Sequence, residues 1–153
     1  MKKLIVLSGI PGSGKSTWTK EFVEKAEDGT VAVVSADLNR LAIGGSYDNF
    51  EHEDEVWKKV YDDILLYAWN DKIQYVIVDN TSISNKARMR YANQFEKYYN
   101  LEMIIFRIPF YICWLRNKER AKCVPDEAME RMYNYWQEPS EEVKAKFKIK
   151  EIY

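Results

Sequence analysis

The chain has 153 residues, 46% of them hydrophobic, which suits one domain able to bury a sizeable core. Its formal net charge is −1, so no global basic field exists to coat long DNA, and any nucleic-acid partner must be held by local basic clusters. Cys113, Cys123 and the single His52 are too few for a conventional zinc site, and no apolar run reaches transmembrane length. Residues 1–8 begin like a signal peptide, but the apolar stretch is too short. A soluble, reduced, cytoplasmic protein is expected.

Residues 3–8 are an apolar, β-branched run and read as a buried parallel strand. Gly9-Ile10-Pro11-Gly12-Ser13-Gly14-Lys15-Ser16 follows at once and fits G-x-x-x-x-G-K-[ST]. Thr17 and Trp18 then open a helix expected over 15–27. A strand, a glycine loop and a helix N-terminus form the setting in which this pattern binds phosphate. Glycines let the backbone close around phosphate oxygens, and successive N–H groups and the helix dipole favour the anion. Gly12, Ser13, Gly14, Lys15, Ser16 and Thr17 are therefore candidate ATP ligands. Lys15 is positioned for the β- and γ-phosphates and the Ser16 hydroxyl for Mg²⁺.

Residues 31–35 read as a second strand, followed by Asp37 and Arg40. In open parallel sheets, ligands bind beyond the C-terminal ends of strands. A carboxylate there can take a proton from an attacking hydroxyl, and an arginine three residues on can grip an anionic acceptor group. Helix capping by Asp37 with a surface arginine accounts for the same spacing. His52 lies in an acidic stretch and reads as a surface residue. Over 54–70, Val56, Val60, Ile64 and Ala68 form one row, with Trp57, Tyr61, Leu65 and Trp69 beside it. This broad apolar helical face is expected to pack on a sheet.

A third strand is expected over 73–78, and it ends in Asp79, the place of an acidic residue that touches Mg²⁺ or its waters. A cap or a hydrogen bond to a neighbour remains the alternative. Lys86, Arg88 and Arg90 read as a solvated face on a helix over 84–98. A fourth strand over 101–107 and helices over 110–119 and 125–137 follow. The basic run from Arg116 to Lys122, closed by Val124-Pro125, reads as a lid hairpin over ATP. One arginine on a transferring phosphoryl supplies about 10³–10⁵ in rate, and capping by cations is the plainer alternative. Near the C-terminus, Lys144, Lys146, Lys148 and Lys150 alternate with apolar residues. An edge strand guarded by lysines, a helix through 141–147 and a basic binding stripe all remain open there.

Four blocks together carry a family resemblance: Gly9 through Trp18; Asp37-x-x-Arg40; Val78-Asp79-Asn80-Thr81; and Arg116-Asn117 through Arg120, Val124 and Pro125, with Met132-Tyr133 downstream. In order and spacing they resemble the 5′-hydroxyl kinase domain of bacteriophage-type polynucleotide kinase, over most of the chain to about residue 135. The resemblance implies that Asp37 is the general base and that Arg40 grips the phosphate beside the terminal nucleoside. It further implies that Arg120 stabilises the γ-phosphoryl, with Arg116 on the nucleotide, and that Asp79 fixes Arg40 or the acceptor end more than it ligates metal. Ala36 stands where the family pattern has a basic residue, the lid is one residue shorter, and residues 43–53 align poorly. The Asp-x-Asp-x-Thr motif of a 3′-phosphatase module and the Lys-x-Asp-Gly motif of ligases are absent, so a stand-alone kinase is expected.

The expected architecture is an α/β P-loop kinase fold over residues 1–153. A parallel sheet of about five strands is flanked by helices, and a helical lid lies near 116–125. The expected reaction moves the γ-phosphate of ATP, with Mg²⁺, to the 5′-hydroxyl end of DNA or RNA. The rivals are a kinase of a small molecule (nucleoside, nucleotide, sugar or antibiotic) and a nucleotide-binding module without turnover. Oligomeric state is left open.

Overall fold

The computed structural model describes residues 1–153. The elements are β1 (Lys2–Ser8), α1 (Lys15–Lys25), β2 (Val31–Val34), α2 (Ala36–Gly44), α3 (Glu53–Tyr67) and β3 (Tyr75–Val78). They continue as α4 (Asn85–Phe95), β4 (Tyr99–Phe106), α5 (Phe110–Lys118), α6 (Asp126–Tyr135), α7 (Glu141–Lys146) and β5 (Lys148–Ile152). The strands form one sheet in the order β2-β3-β1-β4-β5, and every pairing is parallel. The expected parallel sheet of five strands is therefore present.

β1 takes the middle because Leu4, Ile5, Val6 and Leu7 are apolar on both faces, and all four are buried. Leu4 and Val6 pack with residues of α3 and α4 on one side. Ile5 and Leu7 pack on the other, against Trp18 and Phe22 of α1. The chain lays β2 and β3 on one flank of β1, then crosses to place β4 on the other. The strand order thus reverses at the C-terminal end of β1, where a crevice opens and where the glycine loop begins.

Helix α3 buries Val56, Val60 and Ile64 completely, each contributing about 1.5–3 kcal/mol of apolar burial. The second row behaves differently from expectation. Trp57 and Tyr61 are half-buried against the core, whereas Leu65 and Trp69 are exposed. Trp69 meets Tyr98 edge-on at 5.6 Å, beyond the margin of the sheet. The packed stripe is therefore narrower than the sequence pattern.

Arg88 overturns the expectation of a solvated face. It is fully buried, and its guanidinium donates to Ser82 O (3.0 Å), Asn85 Oδ1 (2.8 Å), Gln137 O (2.7 Å) and Ser8 Oγ (3.0 Å). Burial lowers its pKa to about 10, partly opposed by Glu138. Lys86 and Arg90 do face outward, so only one residue of the three turns inward.

The C-terminal alternatives resolve into two short elements. Residues through Lys146 form α7, capped by Ser140 Oγ, which accepts from Val143 N at 3.2 Å. Lys148 and Lys150 then lie on β5, exposed at the sheet edge, as suits lysines that guard an edge strand. Arg107 secures this edge by donating to Glu151 (2.6 Å) and to both Glu138 oxygens (3.0 and 2.7 Å). No helix is long and apolar enough to cross a membrane.

Candidate active site

The loop between β1 and α1 holds its shape through backbone geometry that non-glycine residues resist. Gly12 and Gly14 have φ of 85° and 98°, in the left-handed region. Gly12 is also wedged against α5: a Cβ there would lie 2.3 Å from Cys113 O. Ile10, Cys113 and Met129 make a small core that fixes the loop to α5 and α6. From below, Gly9 N donates to Thr81 O at 2.9 Å and Ser8 Oγ to Ser82 O at 2.8 Å.

Lys15 is buried under this loop, where its ammonium donates to Gly9 O (2.8 Å) and Ile10 O (3.1 Å). Burial pushes its pKa down to about 8, and Arg120 acts in the same direction. The carboxylates of Asp79 and Asp37 oppose the shift. Lys15 thus senses Asp37, Asp79 and Arg120, three groups from distant parts of the sequence.

Above the loop a cleft of about 560 Å³ is lined on its polar side by Gly12 through Thr17, Arg116 and Arg120. Trp18, Phe106, Ile108 and Ile152 line its apolar side. This size suits a nucleotide. Two polar atoms in the region are buried without partners, Ser13 Oγ and Arg120 Nη1. An unpaired buried donor is costly, and phosphate oxygens would satisfy both. Arg116 Nη1 donates to Gly12 O at 3.4 Å, which places that guanidinium at the rim of the loop.

Ser16 Oγ donates to Asp79 Oδ2 at 3.1 Å. No cluster of three or more His, Cys, Asp or Glu could hold a metal by itself. Mg²⁺ keeps several waters and takes phosphate oxygens with one or two protein groups, so the Ser16–Asp79 pair fits it. The pair also differs from the expected contact of Asp79 with Arg40. Asp79 faces the phosphate loop because β3 lies between β2 and β1, next to the strand that carries the loop.

Asp37 lies in the first turn of α2. Capping falls to Ser35, whose Oγ accepts from Leu38 N at 3.0 Å, so the Asp37 carboxylate is not consumed by the helix end. Asn80 steadies the same turn: its Oδ1 accepts from Ala36 N at 2.8 Å, and its Nδ2 donates to Tyr91 Oη at 3.1 Å. Arg40 Nη1 donates to Asp37 Oδ1 at 2.7 Å. Its Nε and Nη2 donate to the two oxygens of Glu53 at 2.9 and 2.7 Å, a bidentate clamp. Phe50 covers the guanidinium face, with Arg40 Cζ 4.5 Å from the ring centre.

The lid joins α5 to α6 and is held by Asn117, which is fully buried. Its Nδ2 donates to Val124 O (2.7 Å) and its Oδ1 accepts from Val124 N (3.0 Å), closing the hairpin that displays Arg120. Lys122 Nζ reaches across to Asp37 Oδ2 at 3.3 Å. Glu53, Asn80, Asn117 and Lys122 had no assigned role in the sequence reading. Asn80 and Asn117 sit inside motif blocks, and Lys122 lies in the basic run of the lid. Glu53 closes the stretch over 43–53 that matches no motif, and only the fold brings it to Arg40.

The AAA_33 family model, an AAA domain, matches residues 4–139. The chain belongs to that family. It has the P-loop kinase fold of its structural neighbours. The L-seryl-tRNA(Sec) kinase of Methanococcus maripaludis is 28% identical over 146 residues, covering 89% of this chain and 53% of that kinase. The chain spans about half or less of the length of the curated relatives it matches. Two solved structures share the fold. One is a chain of the Pnkp1/Rnl/Hen1 RNA repair complex, with a TM-score of 0.73 and 24% identity over 96% of this chain and 46% of that one. The other is a gluconokinase from Sinorhizobium meliloti 1021, with a TM-score of 0.63 and 15% identity over 97% of this chain and 82% of that one.

Proposed function

We propose that this P-loop kinase domain transfers the γ-phosphate of ATP to a 5′-hydroxyl end of DNA or RNA. The observation that carries this reading is that the Asp37 carboxylate and the Arg120 guanidinium both act on the Lys15 ammonium, while Arg120 lines the cleft with its Nη1 buried and unpaired. Nucleotide binding alone needs neither a carboxylate at the end of β2 nor an arginine on a lid. The names of two similar proteins, a tRNA-linked seryl kinase and an RNA repair complex, support an acceptor hydroxyl carried by nucleic acid.

In this reading Asp37 accepts the proton of the acceptor hydroxyl as its oxygen forms the new bond to the γ-phosphorus. The bond from that phosphorus to the β-phosphate bridging oxygen breaks, and ADP leaves with the electron pair. Lys15 and the loop N–H groups hold the β- and γ-phosphates, while Arg120 donates to the γ-phosphoryl oxygens as it moves. Ser16 and Asp79 would hold Mg²⁺, which offsets phosphate charge when bound. Arg40, pinned by Glu53, holds Asp37 in one orientation.

A small-molecule acceptor is the second reading. It is favoured by the acidic rim Glu51, Glu53, Asp54 and Glu55 beside Phe50, which would repel a long polyanion. Incubation with γ-labelled ATP and a 5′-hydroxyl oligonucleotide should label the oligonucleotide end. Asp37→Asn should lower that transfer about 10²–10⁴-fold with ATP affinity retained. Label on sugars or nucleosides but never on the oligonucleotide would remove the nucleic-acid reading.

A further inference from the structure

Resting on the kinase reading above, we infer that Arg88 is a positioning residue that ties the returning end of the lid helices to the root of the phosphate loop and so sets where Arg120 stands. Arg88 is fully buried and acts only through other residues.

The lid is an excursion with a narrow neck. The chain leaves the sheet after β4, runs through α5, the hairpin and α6, and returns at Glu138. Arg107 and Glu138 close the neck with two hydrogen bonds, at 3.0 and 2.7 Å. The returning segment then lies along the turn after β3. Gln137 N donates to Ile83 O at 2.9 Å, and Gln137 Oε1 accepts from Asn85 N at 2.8 Å. Asn85 Nδ2 donates to Glu138 O at 3.0 Å, and Asn85 Oδ1 accepts from Ser140 N at 3.2 Å.

Arg88 joins this segment to the loop. Its Nε and Nη2 donate to Ser82 O and Ser8 Oγ, both at 3.0 Å. Its Nη1 donates to Gln137 O at 2.7 Å and Asn85 Oδ1 at 2.8 Å. Ser8 precedes Gly9, where the loop begins, and Thr81 O, next to Ser82, accepts from Gly9 N at 2.9 Å. Ser82 holds a φ of 43°, a left-handed conformation that strains a serine, and its carbonyl accepts from both Ser8 Oγ and Arg88 Nε. Trp136, just after α6, covers the guanidinium with its ring centre 5.0 Å from Cζ. None of the four acceptors is a carboxylate, so the buried charge lacks an ion pair, and an apolar side chain would fill the site at lower cost. What the arginine supplies is a rigid fork with donors on two edges, which the single ammonium of a lysine cannot reproduce. The lid helices already rest on the loop through Ile10, Cys113 and Met129. Fixing their return as well leaves α6, and with it the hairpin that carries Arg120, a single seating over the cleft.

Two substitutions test this, Arg88→Lys and Asn85→Ala. The second unties residues 137–140 from α4 and leaves the contacts of Arg88 with Ser8 and Ser82 in place, so it carries both measurements if the first variant does not fold. With γ-labelled ATP and a 5′-hydroxyl oligonucleotide, below the melting temperature of every variant, each should lower kcat about 10–100-fold with KM for ATP little changed. In an Arg120→Ala background the same substitutions should cost less than about twofold, because the residue they position is gone. Equal losses in both backgrounds would overturn the inference, since an arginine that only stabilises the fold predicts additivity. If wild type labels no oligonucleotide, the kinase reading on nucleic-acid ends fails, and hydrogen exchange with a non-hydrolysable ATP analogue decides the inference separately. In wild type the analogue should slow exchange over 136–140 as well as over the loop at 9–16, whereas in either variant it should protect the loop alone. Protection of 136–140 that persists in the variants, or is missing in wild type, would overturn it.

Discussion

Lys15 makes the binding of a triphosphate depend on pH in a range where an ordinary lysine would not. Burial beneath the loop lowers its pKa from 10.5 to about 8, which corresponds to about 3 kcal/mol against its charged form. Phosphate oxygens favour the ammonium, so ATP binding should restore the proton. At pH 8 about half of the free protein carries a neutral Lys15, and binding should take up about 0.5 proton. By pH 9 the affinity should have fallen about tenfold, while below pH 7 Lys15 contributes no slope. The terminal phosphate has its second pKa near 6, so it is already ionised across the window from 7.5 to 9. Titration calorimetry in buffers of different ionisation enthalpy measures the proton uptake directly. Lys15→Arg keeps its charge throughout and should bind more weakly with a flat profile. The same shift makes the free protein more stable as pH rises from about 8 towards 10.5, because the unfolded lysine then holds more protons than the folded one. A dissociation constant that is constant from pH 7 to 9, with no proton uptake, would refute the account.

Gly12→Ala places a Cβ 2.3 Å from Cys113 O at a φ of 85°, so it should abolish ATP binding and lower the melting temperature, read by calorimetry. Asn117→Ala removes two hydrogen bonds to Val124 from a buried site and should cost about 1–3 kcal/mol by urea titration. It should also raise protease cutting within 118–124 and lower kcat, since the hairpin carries Arg120. Glu138 is held down to about 2 first by its hydrogen bonds from Arg107. Its folded pKa lies below the unfolded one, so its contribution is complete above about pH 4.5 and is lost as pH falls through about 2. Arg107→Gln should flatten the stability of the β5 edge across that window, as followed by hydrogen exchange of 148–152, with only a modest change at pH 7 because Glu138 is largely exposed.

Strand and helix order was legible because apolar runs and glycine punctuation are local signals. The C-terminus was ambiguous because a lysine every second residue suits both a strand and the exposed side of a helix. Only the Ser140 cap and the docking of β5 on β4 separate them. Arg88 misled because a buried cation looks like a surface one when read by composition. Its acceptors come from residues 8, 82, 85 and 137, which no local window contains. Glu53 was missed for the same reason: Arg40 meets it across the turn between α2 and α3.

The linear order of residues alone determined that a phosphate loop would follow a buried strand. Its backbone requirements are met within eight consecutive residues, Gly9 to Ser16. Which charges gather above that loop was decided by the tertiary structure. Asp79 belongs to Ser16, Arg40 to Glu53 and Lys122 to Asp37 because the parallel crossovers and the lid hairpin set their separations in space. Coulomb and hydrogen-bond energies depend on those separations and on burial, and neither quantity is written in sequence spacing.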